Sequence, residues 1–131
     1  MLLILQITCA TELNCVAVAE GYTADGADLT LAFVTTDGGT TWLQSFSSTE
    51  DFSLMGAAFA SSTDVWILGT SKSGRQLSGQ YRLSTNGGQS FSIAQSFPDC
   101  SGIDVSFGDD GVGYSICLNS AGTAGSVVMY Q

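Results

Sequence analysis

Thr35-Thr36-Asp37-Gly38-Gly39-Thr40-Thr41-Trp42 returns in kind as Ser84-Thr85-Asn86-Gly87-Gly88-Gln89-Ser90-Phe91. Asp37 and Asn86 lie about 50 residues apart, a period typical of chains built from repeated β units. The residue types describe a turn. A short Asp or Asn side chain accepts hydrogen bonds from nearby backbone N–H groups and pins a chain reversal. Glycine takes backbone angles that a Cβ forbids, and the closing aromatic has an apolar body to bury. The phrase is therefore read as a turn lock rather than as a catalytic or metal site.

Outward from the two turns, the periodicity extends along the chain. Leu5–Ala10, Met55–Ala60 and Ile103–Gly108 align as first strands, and Cys15–Ala19, Val65–Gly69 and Gly113–Cys117 as second strands. Short polar hairpin turns separate them: Thr11–Asn14, Ser61–Asp64 and Asp109–Val112. Their Asn, Asp, Ser and Gly supply the usual turn chemistry. Third strands follow at Leu29–Val34, Gln80–Ser84 and Ser126–Tyr130, and fourth strands at Thr41–Phe46 and Ser90–Ala94. The single proline, Pro98, falls in the link between repeats two and three, where it interrupts no ladder.

Four antiparallel strands followed by a step to the next sheet describe a propeller blade. The expected fold is all-β: β-propeller blades of four antiparallel strands, about two and three-quarter of them, in one partial propeller over 1–131. Blade 1 spans about 2–47, blade 2 about 52–96 and a truncated blade 3 about 100–131. Rings of this type close by packing the last blade on the first. The expectation is that further blades of a longer polypeptide, or other chains, cover the two end faces.

Composition narrows the partners. With 131 residues the chain suits one domain. Only 11% of residues are charged, and 3 Lys+Arg against 12 Asp+Glu give a net charge of −9. Nucleic acid and anionic membrane surfaces are repelled by such a field. No apolar run is long enough for a membrane helix, so no membrane insertion is expected. Met1–Leu5 has the apolarity of a signal-peptide core but no Lys or Arg before it, and the repeat alignment makes 2–9 a strand.

The repeated phrase resembles the Asp box, Ser/Thr-x-Asp-x-Gly-x-Thr-Trp/Phe, of the BNR-type propeller repeat family. Thr35, Asp37, Gly39, Thr41 and Trp42 match it throughout; in the second copy Asn86 replaces Asp and Phe91 replaces Trp, while Ser84, Gly88 and Ser90 hold. The resemblance spans nearly the whole chain and implies a structural role for all ten residues. Asp-box propellers include sialidases and other glycosidases, sortilin-type receptors, and photosystem II assembly and stability factors. The phrase Ala60–Gly69 looks closest to the last group. The leading expectation is a non-catalytic scaffold or protein-binding segment in a lumenal or extracytoplasmic complex, with the thylakoid lumen as the narrower setting. The alternatives are a piece of a sialidase or glycosidase whose catalytic residues lie elsewhere, and a piece of a sortilin-like peptide receptor.

A sialidase site needs an arginine cluster, and only Arg75 and Arg82 are present. Asp104 falls within a strand and is expected at a solvated or channel-facing position. Asp109-Asp110-Gly111 lacks the spacing of a calcium loop and reads as an acidic turn. With no His, imidazole chemistry is absent from this segment. No catalytic residue, metal or cofactor is assigned. Cys9, Cys15, Cys100 and Cys117 form no C-x-x-C. Cys9 and Cys15 flank one hairpin turn, and Cys100 and Cys117 bracket the hairpin of repeat three, slightly out of register. Disulfides and an oxidising compartment are expected, with buried thiols as the alternative.

Overall fold

The computed structural model describes residues 2–48, 52–73, 76–108, 111–119 and 121–130. They contain strands and turns and no helix. The first sheet is β1 (Leu2–Cys9), β2 (Cys15–Tyr22), β3 (Asp28–Thr35) and β4 (Leu43–Ser48). The second is β5 (Phe52–Phe59), β6 (Val65–Ser73), β7 (Gln76–Ser84) and β8 (Ser92–Pro98). The third has three strands, β9 (Ser101–Phe107), β10 (Val112–Leu118) and β11 (Ala124–Tyr130). Every sheet is an antiparallel meander whose spatial order follows the chain.

The repeat extends to irregularities that the sequence did not announce. The pairing of β1 with β2 slips between Ile4 and Gln6, that of β5 with β6 between Leu54 and Gly56, and that of β9 with β10 at Ile116/Cys117. The unpaired residues, Leu5, Met55 and Ile103, occupy one position in the repeat alignment. β3–β4 and β7–β8 slip at matching places as well, between Ala32 and Phe33 and between Tyr81 and Arg82. Such bulges sharpen the local twist.

Two expectations need correction. Thr41, Trp42, Ser90 and Phe91 belong to the turns, since β4 begins at Leu43 and β8 at Ser92. Pro98 is not in a link: it ends β8, in register with Ser78. β8 is an edge strand, where a missing N–H costs least.

The core lies between sheets. Strand alternation sends Val16, Val18, Ala32 and Val34 to one face of the first sheet, where they meet Ala57, Val65 and Ile67 of the second. Phe91 joins both clusters and meets Phe46 edge-on at 6.4 Å between ring centroids. Gln6 adds a polar tie, its Oε1 accepting from the Ala57 N–H at 3.0 Å. The other face of the second sheet carries Ala58, Trp66, Leu68 and Tyr81 against Val105 of the third, with Phe107 stacked on Trp66. Tyr81 donates a buried hydrogen bond to Ser115 Oγ at 2.9 Å. Burial pushes the Tyr81 phenol up, partly offset by Ser115, so it remains the donor. The third sheet therefore packs on the second as the second packs on the first, through equivalent positions.

Candidate functional site

The two repeated turns share one hydrogen-bond scheme. Thr35 Oγ1 accepts from the Gly39 N–H at 2.9 Å and donates to Asp37 Oδ1 at 2.8 Å. Asp37 accepts from the Thr41 N–H at 2.9 Å and from the Thr41 hydroxyl at 2.6 Å. In the second turn Ser84 Oγ accepts from the Gly88 N–H at 2.8 Å and donates to Asn86 Oδ1 at 2.7 Å. Asn86 Oδ1 also accepts from the Ser90 N–H, while its Nδ2 donates to Ser90 Oγ. An amide thus replaces a carboxylate by reversing one hydroxyl. Gly38, Gly39, Gly87 and Gly88 all have positive φ, which explains the paired glycines. Each turn also ties to the hairpin turn of its own sheet, Gly38 N–H to the Leu13 carbonyl and Gly87 N–H to that of Thr63.

Donation to Asp37, first from the Thr41 hydroxyl, then from the Thr41 N–H and from Thr35, lowers its pKa from 3.8 to about 2. A depressed carboxyl pKa contributes stability above the unfolded value and loses it as pH falls through the folded one. The β3–β4 turn therefore keeps its full lock above pH 3.8 and loses it as pH drops through about 2. The Thr41 amide resonance is expected to titrate with a midpoint near 2, while that of Ser90, beside a non-titrating Asn86, stays still. Asp37→Asn should abolish the titration and retain the fold. A Thr41 midpoint at 3.8 would contradict the hydrogen bonds to Asp37.

Both cysteine pairs are disulfides. Cys9–Cys15 staples the turn end of the β1–β2 hairpin, with Cα atoms 4.0 Å apart. Cys100–Cys117, at 5.3 Å, closes the opposite, open end of β9 and β10. Even after the register slip beside it, Cys117 pairs in the ladder with Gly102, so this bridge reaches two positions off its ladder partner. Both bridges are compatible with an oxidising compartment.

The other candidates disperse. The Arg82 guanidinium carbon sits 4.8 Å from the centre of the Phe46 ring, at the interface of the first two sheets. Arg75, Asp109 and Asp110 lie outside the described residues. Asp104 pairs in register with Ile116, and its side chain is outside the described set. Leu3, Glu20, Asp28, Thr30 and Ser53 line a cleft at the end remote from the repeated turns. Among the described residues no three potential metal ligands come together, and no helix is long and apolar enough to cross a membrane.

The two outermost sheet faces carry residues that the repeated turns and cysteines do not single out. On the first sheet, Val16 and Val18 point toward the second, so alternation turns Ile7, in register with Ala17, outward. Ile7 is 55% exposed. On the third sheet, Val105 and Ser115 face the second, which turns Tyr114 and Ile116 outward at 60% and 55% exposure. Alternating apolar residues in β1 and β10 were the available signal. No protein-family model matches this chain, and no curated protein matches it.

Proposed function

We propose that this chain is a segment of an Asp-box β-propeller that acts as a non-catalytic, protein-binding scaffold in an extracytoplasmic or lumenal complex. The carrying observation is the pair of outward faces. Ile4 and Ile7 at one end, and Tyr114, Ile116 and Leu118 at the other, are large apolar side chains presented together on sheet surfaces. Contiguous apolar patches on a sheet mark interaction surfaces. Two disulfides and a low charge content fit the compartment assigned. The likeness of the Ala60–Gly69 hairpin phrase supports the photosystem-associated, thylakoid form of this reading.

Photo-crosslinking tests the proposal. A benzophenone side chain at position 7 or 114, in the protein expressed in its source cells, is expected to yield polypeptide adducts. The same probe at the exposed turn residue Ala24 serves as the control and should yield none. No adduct from either face, or equal yield from all three positions, would overturn the reading.

A further inference from the structure

We infer that copies of this chain associate head to tail, the outward face of the third sheet in one copy docking on the outward face of the first sheet in the next. The inference rests on reading those faces as docking surfaces, and it names the occupant.

One kind of sheet-on-sheet interface is used twice within the chain. Val16 of the first sheet packs at Gly88 of the second so closely that a Cβ on Gly88 would collide with Val16 Cγ2. Gly39 is the counterpart of Gly88, and a Cβ there meets nothing within 4 Å but its own Trp42. Phe91 is wedged between two sheets, whereas its counterpart Trp42 is 38% exposed. Where Val16 of another sheet fills the space at Gly88, no other sheet fills the equivalent space at Gly39.

The third sheet carries the matching donor face. Tyr114 stands where Val16 and Trp66 stand in the earlier repeats, and Ile116 where Val18 and Leu68 stand. Val18 lies in one cluster with Ala57 and Ile67, whose counterparts in the first sheet are Ile7 and Ala17. In the docked pair Ile116 therefore meets Ile7 and Ala17, and Tyr114 meets Gly39 and Trp42. Asp104 holds the register position of Gln6, whose oxygen accepts a backbone N–H of the next sheet. A second copy is the partner because one chain bears both halves of the same interface. A heterologous contact of this kind propagates into a ring or a filament.

Sedimentation equilibrium on the purified, oxidised chain over a dilution series tests the inference, using Ile116→Asp and Ile7→Asp, two half-exposed positions where folding should survive. The wild-type chain is expected to sediment above the single-chain mass, with mass rising with concentration. Each variant is expected at the single-chain mass. An equimolar mixture of the two should give a species of twice that mass and no larger, because it holds one intact donor and one intact receiving face. That mixed dimer also certifies that both variants are folded. A wild-type chain that stays single throughout would overturn the inference and leave the docking reading to the crosslinking result. Self-assembly retained by either variant, or no mixed dimer from an assembling wild type, would also overturn it.

Discussion

Replacing Cys100 and Cys117 together by serine is expected to lower the unfolding free energy by about 3 kcal/mol, the loop-entropy value for a bridge of this span. The bridge joins residues 17 apart in sequence, against 6 for Cys9–Cys15. By the same relation the shorter bridge contributes about 2 kcal/mol. Packing widens the difference. Cys100 is buried, and a Cβ on Gly79 would lie 2.7 Å from its sulfur, so this disulfide sits tightly on the second sheet. It anchors the third sheet at the open end of its hairpin, while Tyr81 and Ser115 tie the sheets further along. Cys9 and Cys15 by contrast bridge two strands that a short turn already holds in register. Thermal unfolding of the two double-serine variants under oxidising conditions checks this. The Cys100/Cys117 variant should melt roughly 10 °C below the wild type, and the Cys9/Cys15 variant less. The reverse order would show that the longer bridge does not hold the third sheet.

Gly88→Ala should destabilise the chain by about 2–4 kcal/mol, combining a left-handed alanine with an overpacked interface. Its φ is 97°, and the added methyl collides with Val16 across the sheet boundary. Val16 is fully buried in a β-branched cluster and has nowhere to retreat. Gly39→Ala provides the control. Its φ of 89° imposes the same backbone penalty, but no second sheet stands in the way. A cost of about 1–2 kcal/mol is expected there. Urea unfolding of both variants at a concentration where the chain is single measures the difference. Equal losses would mean that the second turn does not press on the first sheet.

The legibility of this chain in its sequence was uneven, for identifiable reasons. Strand positions and the two turn locks could be read because alternation and turn chemistry act over a few residues. Asp37 and Asn86 find all their partners within four residues, so their neighbours already specify the bonds. The Cys9–Cys15 pairing was visible on the same local grounds. The bulges at Leu5, Met55 and Ile103 were not, because a slip depends on how two strands twist together. The Cys100–Cys117 bridge lies two positions off the ladder partner of Cys117, so strand register alone does not specify it.

By itself the sequence determined that this is an all-β chain of repeated meanders with a conserved-in-kind turn at the end of each third strand in the first two repeats. It did so because periods of two and short-range hydrogen bonds are properties of neighbouring residues. Which face of each sheet is buried was decided only by the tertiary structure. Val18 and Ala17 are adjacent, apolar and both buried, yet one packs on the second sheet and the other belongs to the outward face. Alternation sets them apart without saying which side is inward, and that choice depends on contacts between strands far apart in the chain. The same contacts leave Ile7 and Trp42 exposed at one end and Tyr114 and Ile116 at the other.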